Sequence, residues 1–146
     1  MYDAIVVGAR CAGSPTAMLL ARRRHRVLLV DRARFPSDAL SRHFLHPPSL
    51  ARLRRWGVLG EATAGCPAWR GLRLDLGAVV LAGVPPATTG STRAAPRRTI
   101  LDAALLDAAV RAGAELREGF AVQDPLVEAS EAWRRAAGRS PSARGS

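Results

Sequence analysis

The chain contains no lysine at all: every one of its 22 basic residues is arginine, against 12 acids, for a formal charge of +10 over 146 residues. An arginine-only basic set alongside abundant Ala, Gly and Pro reads as GC-rich coding bias rather than as a groove built for nucleic acid. The arginines are scattered through the chain, and the aromatic content of 5% offers no stacking platform between them. Long apolar runs are also missing. The longest, near Val79 to Val84, is far too short to span a bilayer, so no membrane span is expected. Tyr2 and Asp3 lead directly into an apolar segment without a basic leader, so no secretory signal is expected and a cytoplasmic protein is the expectation.

Cysteine is nearly as scarce. Cys11 and Cys66 have neither metal-ligand nor redox-pair spacing, and His43 and His46 stand three apart with no third ligand nearby, so no metal site is expected. Cys11 has two readings: a small residue filling a tight turn, or a thiol whose pKa is lowered by a helix start. No Gly-Lys-Ser/Thr segment occurs, which rules out a nucleoside-triphosphate P-loop.

What is present is concentrated at the front. Ala4 to Val7 is a short apolar strand running into Gly8-Ala9-Arg10-Cys11-Ala12-Gly13, with a helix from Gly13 to about Arg24 and Pro15 tolerated in its first turn. A second strand, Arg26 to Asp31, ends in a carboxylate 23 positions beyond Gly8. This is the layout of a dinucleotide-binding βαβ unit, in which the turn admits a pyrophosphate, the helix start points N–H groups at it and the acid accepts from a ribose. One glycine of the usual three is replaced by Arg10. That side chain must point aside, and it is able to pair with a phosphate as a charged fork. Arg22, Arg23, Arg24 and Arg26 end the helix, where cations complement the carbonyl end of its dipole.

Further along, Leu50, Leu53 and Trp56 predict a helix over Pro48 to Trp56, closed by Gly57. Leu72, Leu74 and Leu76 alternate with Arg73 and Asp75, predicting a half-buried strand that turns at Gly77 and returns through Val79-Val80-Leu81. Pro85 to Pro96 reads as a small-residue loop. Thr99 to Ala112 is the strongest helix, with Thr99 as its cap, a stripe of Ile100, Leu101, Ala104, Leu105, Ala108 and Ala109, and Gly113 at its end. A strand over Ala114 to Val122 follows. Residues 138–146 carry too little apolar surface to offset chain entropy and are expected to be disordered.

Taken together, Tyr2 to Gly13, Asp31-Arg32, Leu40 to Pro48, Leu53 to Gly57 and Pro96 to Glu115 resemble the N-terminal part of FAD-dependent oxidoreductases. The branch is that of the aromatic-ring monooxygenases and geranylgeranyl-reductase-like flavoproteins. The resemblance implies an α/β, Rossmann-like FAD-binding unit over residues 1–128 with a hairpin inserted at about 70–84, then an irregular tail over 129–146. It assigns Gly8, Ala9, Arg10, Ala12 and Gly13 to the FAD pyrophosphate, Asp31 to the adenosine ribose, Arg32 and the backbone of Val122 to the adenine side, and Arg98 to the flavin nucleotide. Arg42 is implied as a second phosphate or ribitol contact. In the family a small organic molecule is the substrate and NAD(P)H an electron donor. No catalytic residue is assigned, because the groups at the flavin ring lie in a Gly-Asp segment that nothing here matches. The run Ala129-Ser130-Glu131-Ala132-Trp133-Arg134-Arg135 resembles GC-rich DNA read in a shifted frame, so a truncated or frameshifted product is expected. Two alternatives stay open: a non-catalytic remnant that binds nucleotide weakly or not at all, and an NAD-dependent Rossmann dehydrogenase fragment, which Asp31 suits equally well.

Overall fold

A run of four aliphatic residues ending in an acid, without polar alternation, suits a strand covered on both faces. In the computed structural model, Val27–Asp31 (β2) is indeed buried on both faces as the middle strand of a parallel sheet. The structure describes residues 1–40, 44–67, 71–84 and 94–123. Ala4–Val7 (β1) pairs with β2 on one side, Ala4 opposite Val27 and Val7 opposite Val30. Glu115–Glu118 (β5) pairs on the other side, Leu28 opposite Glu115 and Asp31 opposite Glu118.

Two helices cover one face. Gly13–Arg22 (α1) returns the chain from β1 to β2, and Arg98–Arg111 (α4) leads into β5 and packs on α1. Between them lies the core, where Ala17, Met18, Leu29 and Ala109 are fully buried and Leu105, Leu106 and Ala108 nearly so. Pro47–Trp56 (α2) and the single turn Leu59–Ala62 (α3) extend this layer, with α3 against α4. Gly57, at φ +80°, ends α2 in the left-handed conformation that its sequence position predicts. The opposite face of β1 is open: Ile5 is 62% and Val7 63% exposed.

Leu72–Asp75 (β3) and Val80–Gly83 (β4) form the expected antiparallel hairpin as a separate sheet, with Leu72 opposite Gly83 and Asp75 opposite Val80, closed at Gly77, whose N–H bonds Asp75 Oδ1 at 3.0 Å. Its burial differs from expectation. Every residue of both strands is exposed, because among the described residues no other element packs substantially on the hairpin, and alternation alone cannot supply a partner. Other boundaries also shift. α1 stops at Arg22, because Arg24 takes a left-handed φ of +68°. α4 begins at Arg98 with the extended Arg97 at its cap position, so Thr99 lies inside the helix and caps nothing. β5 ends at Glu118, short of Val122. The tail expected over 129–146 lies outside the described residues.

Candidate nucleotide site

The turn between β1 and α1 is shaped by two glycines with different tasks. Gly8 adopts φ +98°, which an L side chain resists, and its N–H bonds the Val30 carbonyl at 2.8 Å. Gly13 is needed for space: a Cβ there would lie 1.7 Å from the Gly8 carbonyl oxygen. The start of α1 therefore sits directly on the turn. No side chain caps this helix and no acid lies in its first turn, so the chain leaves the positive end of the dipole unneutralised. Ser14, in that first turn, is fully buried and its Oγ has no hydrogen-bond partner.

Asp31, at the end of β2, is buried and fastens the turn. Its Oδ2 accepts from Ala9 N–H at 2.7 Å and its Oδ1 from Ala33 N–H at 2.8 Å. The strand end of β5 is locked beside it. Phe120 N–H donates to the Asp31 carbonyl at 2.9 Å, and Glu118 Oε1 accepts from Phe35 N–H at 2.7 Å. These bonds shape an open cleft of about 360 Å³ lined by Val7, Gly8, Arg10, Asp31, Arg32 and Phe120 to Val122. Gly8, Arg10, Asp31, Arg32 and Val122, all singled out from the sequence, thus meet at one cleft although they span more than a hundred positions. Ala9 is buried beneath it and Gly13 borders the turn, whereas Arg42 lies outside the described residues.

Arg98 stands on another side of the turn, at the start of α4. Its Nε donates to both oxygens of Asp102 at 3.0 Å, and Nη2 lies 2.9 Å from Oδ2. This is the i, i+4 pair that the sequence permits, but it is buried rather than solvated: Asp102 has no exposure and the Arg98 side chain only 15%. Asp102 also accepts from Arg10 Nη1 at 2.7 Å and from Cys11 Sγ at 3.1 Å. Desolvation of the sulfur, helped by the hydrogen bond to Asp102, pushes the Cys11 thiol up to about 11. The lowered pKa that a helix start alone would produce is therefore overturned by burial first and by the neighbouring carboxylate second. Sequence reasoning missed Asp102 as the common partner of three groups. Its spacing to Arg98 signals one bond, but no local signal exists for Arg10, 92 positions away.

Among the described residues no group of three His, Cys, Asp or Glu side chains is placed to hold a metal ion, and no helix is long and apolar enough to cross a membrane.

No family model matches the chain. Among curated proteins it is similar to a menaquinone reductase of Mycolicibacterium smegmatis, 34% identical over 129 residues, which is 88% of this chain and 31% of that protein. Among solved structures it is similar to the myxobacterial chondrochloren halogenase CndH, a variant of FAD-dependent halogenases. Identity there is 28% and the TM-score 0.73, over 87% of this chain and 30% of the halogenase. A flavoprotein/dehydrogenase from Cytophaga hutchinsonii matches with 25% identity and a TM-score of 0.71, over 84% of this chain and 31% of that one. The chain thus spans about a third of the length of the proteins it matches.

Proposed function

We infer, for a chain that is similar to the N-terminal part of FAD-dependent oxidoreductases and has their Rossmann-like α/β fold, that it binds FAD. The observation that carries this reading is the cleft in which Gly8, Arg10, Asp31, Arg32 and Val122 converge beside the uncapped start of α1. The backbone of Gly8 to Gly13 would receive the pyrophosphate, with the helix dipole favouring its charge. Asp31 already holds Ala9 and Ala33, yet each carboxylate oxygen keeps a second lone pair for a ribose hydroxyl. Arg32 and Val122 would border the adenine, and Arg98 would meet the nucleotide from the start of α4. Arg42 completes the proposed set from outside the described residues.

Bound flavin supplies hydride and electron transfer, as expected of a monooxygenase- or reductase-like oxidoreductase, with NAD(P)H the proposed donor, a small organic molecule the substrate and the cytoplasm the location. This chain's residues bind and orient the nucleotide. A second reading, a nucleotide site without catalysis, is favoured by the uncovered apolar surface of β1 and of the hairpin.

The test is the visible absorption spectrum of the purified, desalted protein, with release and identification of bound flavin. Near-stoichiometric FAD is the expected outcome. A colourless protein that takes up no added FAD overturns the reading, and one that binds NAD instead moves it to a nicotinamide-dependent Rossmann fold. Asp31→Ala should weaken FAD binding by about 1–3 kcal/mol, the scale for a hydrogen bond involving a charged group. An unchanged dissociation constant would remove Asp31 from the ribose.

A further inference from the structure

Arg10 occupies the one position of the phosphate turn where a glycine would leave bare backbone, and its side chain leaves the turn entirely. Nη1 donates to Asp102 Oδ2 and Nη2 to Ser37 Oγ, each at 2.7 Å, while the guanidinium carbon stands 5.1 Å from the Phe35 ring centroid. Asp102, on α4, is the charged partner among these and is fully buried. Its carboxylate faces two guanidinium groups, Arg10 and Arg98, and the neutral Cys11 thiol. One positive charge is therefore left over, next to an uncapped helix start with an unpartnered buried Ser14 Oγ. A helix-stabilising ion pair has no need of such burial, nor of a partner from the turn.

We propose that Asp102 is a positioning residue of the nucleotide site, holding Arg10 aside so that the Gly8–Gly13 backbone stays open to a diphosphate. The proposal rests on the FAD reading above. It gives the substituted glycine a physical resolution: the chain tolerates a long cation in the turn because α4 supplies a buried anchor that draws it away. Without the carboxylate, the Arg10 guanidinium is free to fold back over the N–H groups that the diphosphate needs.

The test is a double-mutant cycle on the full chain, comparing the parent, Asp102→Asn, Arg10→Gly and the double variant. Fluorescence titration reads FAD affinity and thermal melting reads the fold. Asp102→Asn should bind FAD about tenfold more weakly, the scale of one lost charged hydrogen bond. The double variant should return to within about threefold of Arg10→Gly, since no guanidinium remains to be restrained. A double variant as weak as Asp102→Asn would mean that Asp102 acts through Arg98 or through stability alone, and the proposal would fall. It would fall equally if Asp102→Asn bound FAD like the parent.

A flavin-independent readout separates this failure from failure of the FAD reading. With Cys66→Ser in all four chains, the pH profile of Cys11 alkylation by iodoacetamide should inflect near 11 in the parent. In Asp102→Asn the inflection should move down, because the negative charge is gone and only a neutral amide oxygen is left to accept from the thiol, while the burial that contributes most to the rise stays. An unmoved inflection would remove Asp102 from the turn and overturn the proposal. A parent that takes no FAD but shows the shifted profile would overturn the nucleotide reading, and with it the purpose of the tie, while leaving the tie itself in place.

Discussion

The sheet core and the β3–β4 hairpin are built from the same aliphatic residues, and they meet opposite fates. In β2, Val27 and Leu29 are at most 1% exposed, in one core cluster with residues of α1 and α4. In the hairpin segment Leu72, Leu74, Leu76, Val79, Val80, Leu81 and Val84 are between 44 and 73% exposed. Every strand in both regions is paired in register, although β2 is paired on both sides and each hairpin strand on one, so the presence of pairing alone does not account for the difference. Tertiary cover does: the sheet has a helical layer against it, and among the described residues the hairpin has none. Periodicity in a sequence specifies which side of an element is apolar, whereas burial depends on a second element arriving to meet it.

The harshest way to break the packed region is at Gly13. A Cβ there lands 1.7 Å from a backbone oxygen that cannot rotate away, so Gly13→Ala must separate α1 from the turn. A loss of about 3 kcal/mol, the upper range for overpacking, is expected in chemical denaturation. Gly8→Val should cost less in stability, because open space surrounds Gly8 and only its positive φ objects, yet it should still impair FAD binding by distorting the turn. If Gly13→Ala melted like the parent, the close approach of α1 to Gly8 would be wrong.

Of comparable size is a matched pair of truncations that addresses the comparison directly. Leu29→Ala removes a fully buried side chain from the centre of the sheet and should cost about 2–5 kcal/mol. Leu81→Ala removes one that is 56% exposed, and a change within about 0.5 kcal/mol is expected. Equal costs would show that the hairpin is covered in solution, by a second copy or another part of the chain. Analytical ultracentrifugation of the parent and Leu81→Ala would then tell these apart.

The same contrast explains how much the sequence could disclose. The β1–turn–α1–β2 unit was legible because each step has a local cause: a short aliphatic run, two obligatory glycines, a helix start, an acid at a strand end. The hairpin itself was legible for the same reason, through alternation and the Gly77 turn. Long-range facts were not. Nothing near Asp102 announces Arg10, and nothing near Leu74 announces that its face stays open. Thr99 looked like a cap because threonine favours that position, but the backbone enters the helix one residue earlier, with Arg97 extended at the boundary. The candidate cleft was legible in its residues and not in its walls. The bonds from Phe120 to Asp31 and from Phe35 to Glu118 that shape it join segments far apart in the chain.

The smallest effect sharpens the comparison at the end of the sheet, where packing gives way to solvent. Asp3 pairs with Arg26 across the mouth of β1 and β2, its Oδ1 3.1 Å from Nη2 and its Oδ2 2.7 Å from the Arg26 N–H. These hydrogen bonds from the Arg26 side chain and backbone hold the Asp3 carboxyl down to about 2, against an ordinary 3.8. A carboxylate depressed in the folded state stabilises fully above the unfolded pKa, and that contribution fades as pH falls from about 4 towards 2. The parent should therefore melt slightly higher than Asp3→Asn at pH 5, and the gap should close by pH 2. High salt should narrow the gap at pH 5, since both side chains are solvated. A gap that persisted at pH 2 would mean Asp3 contributes through shape and neutral hydrogen bonding rather than through charge. The strand ends would then obey the packing logic of the core rather than the solvated logic of the hairpin.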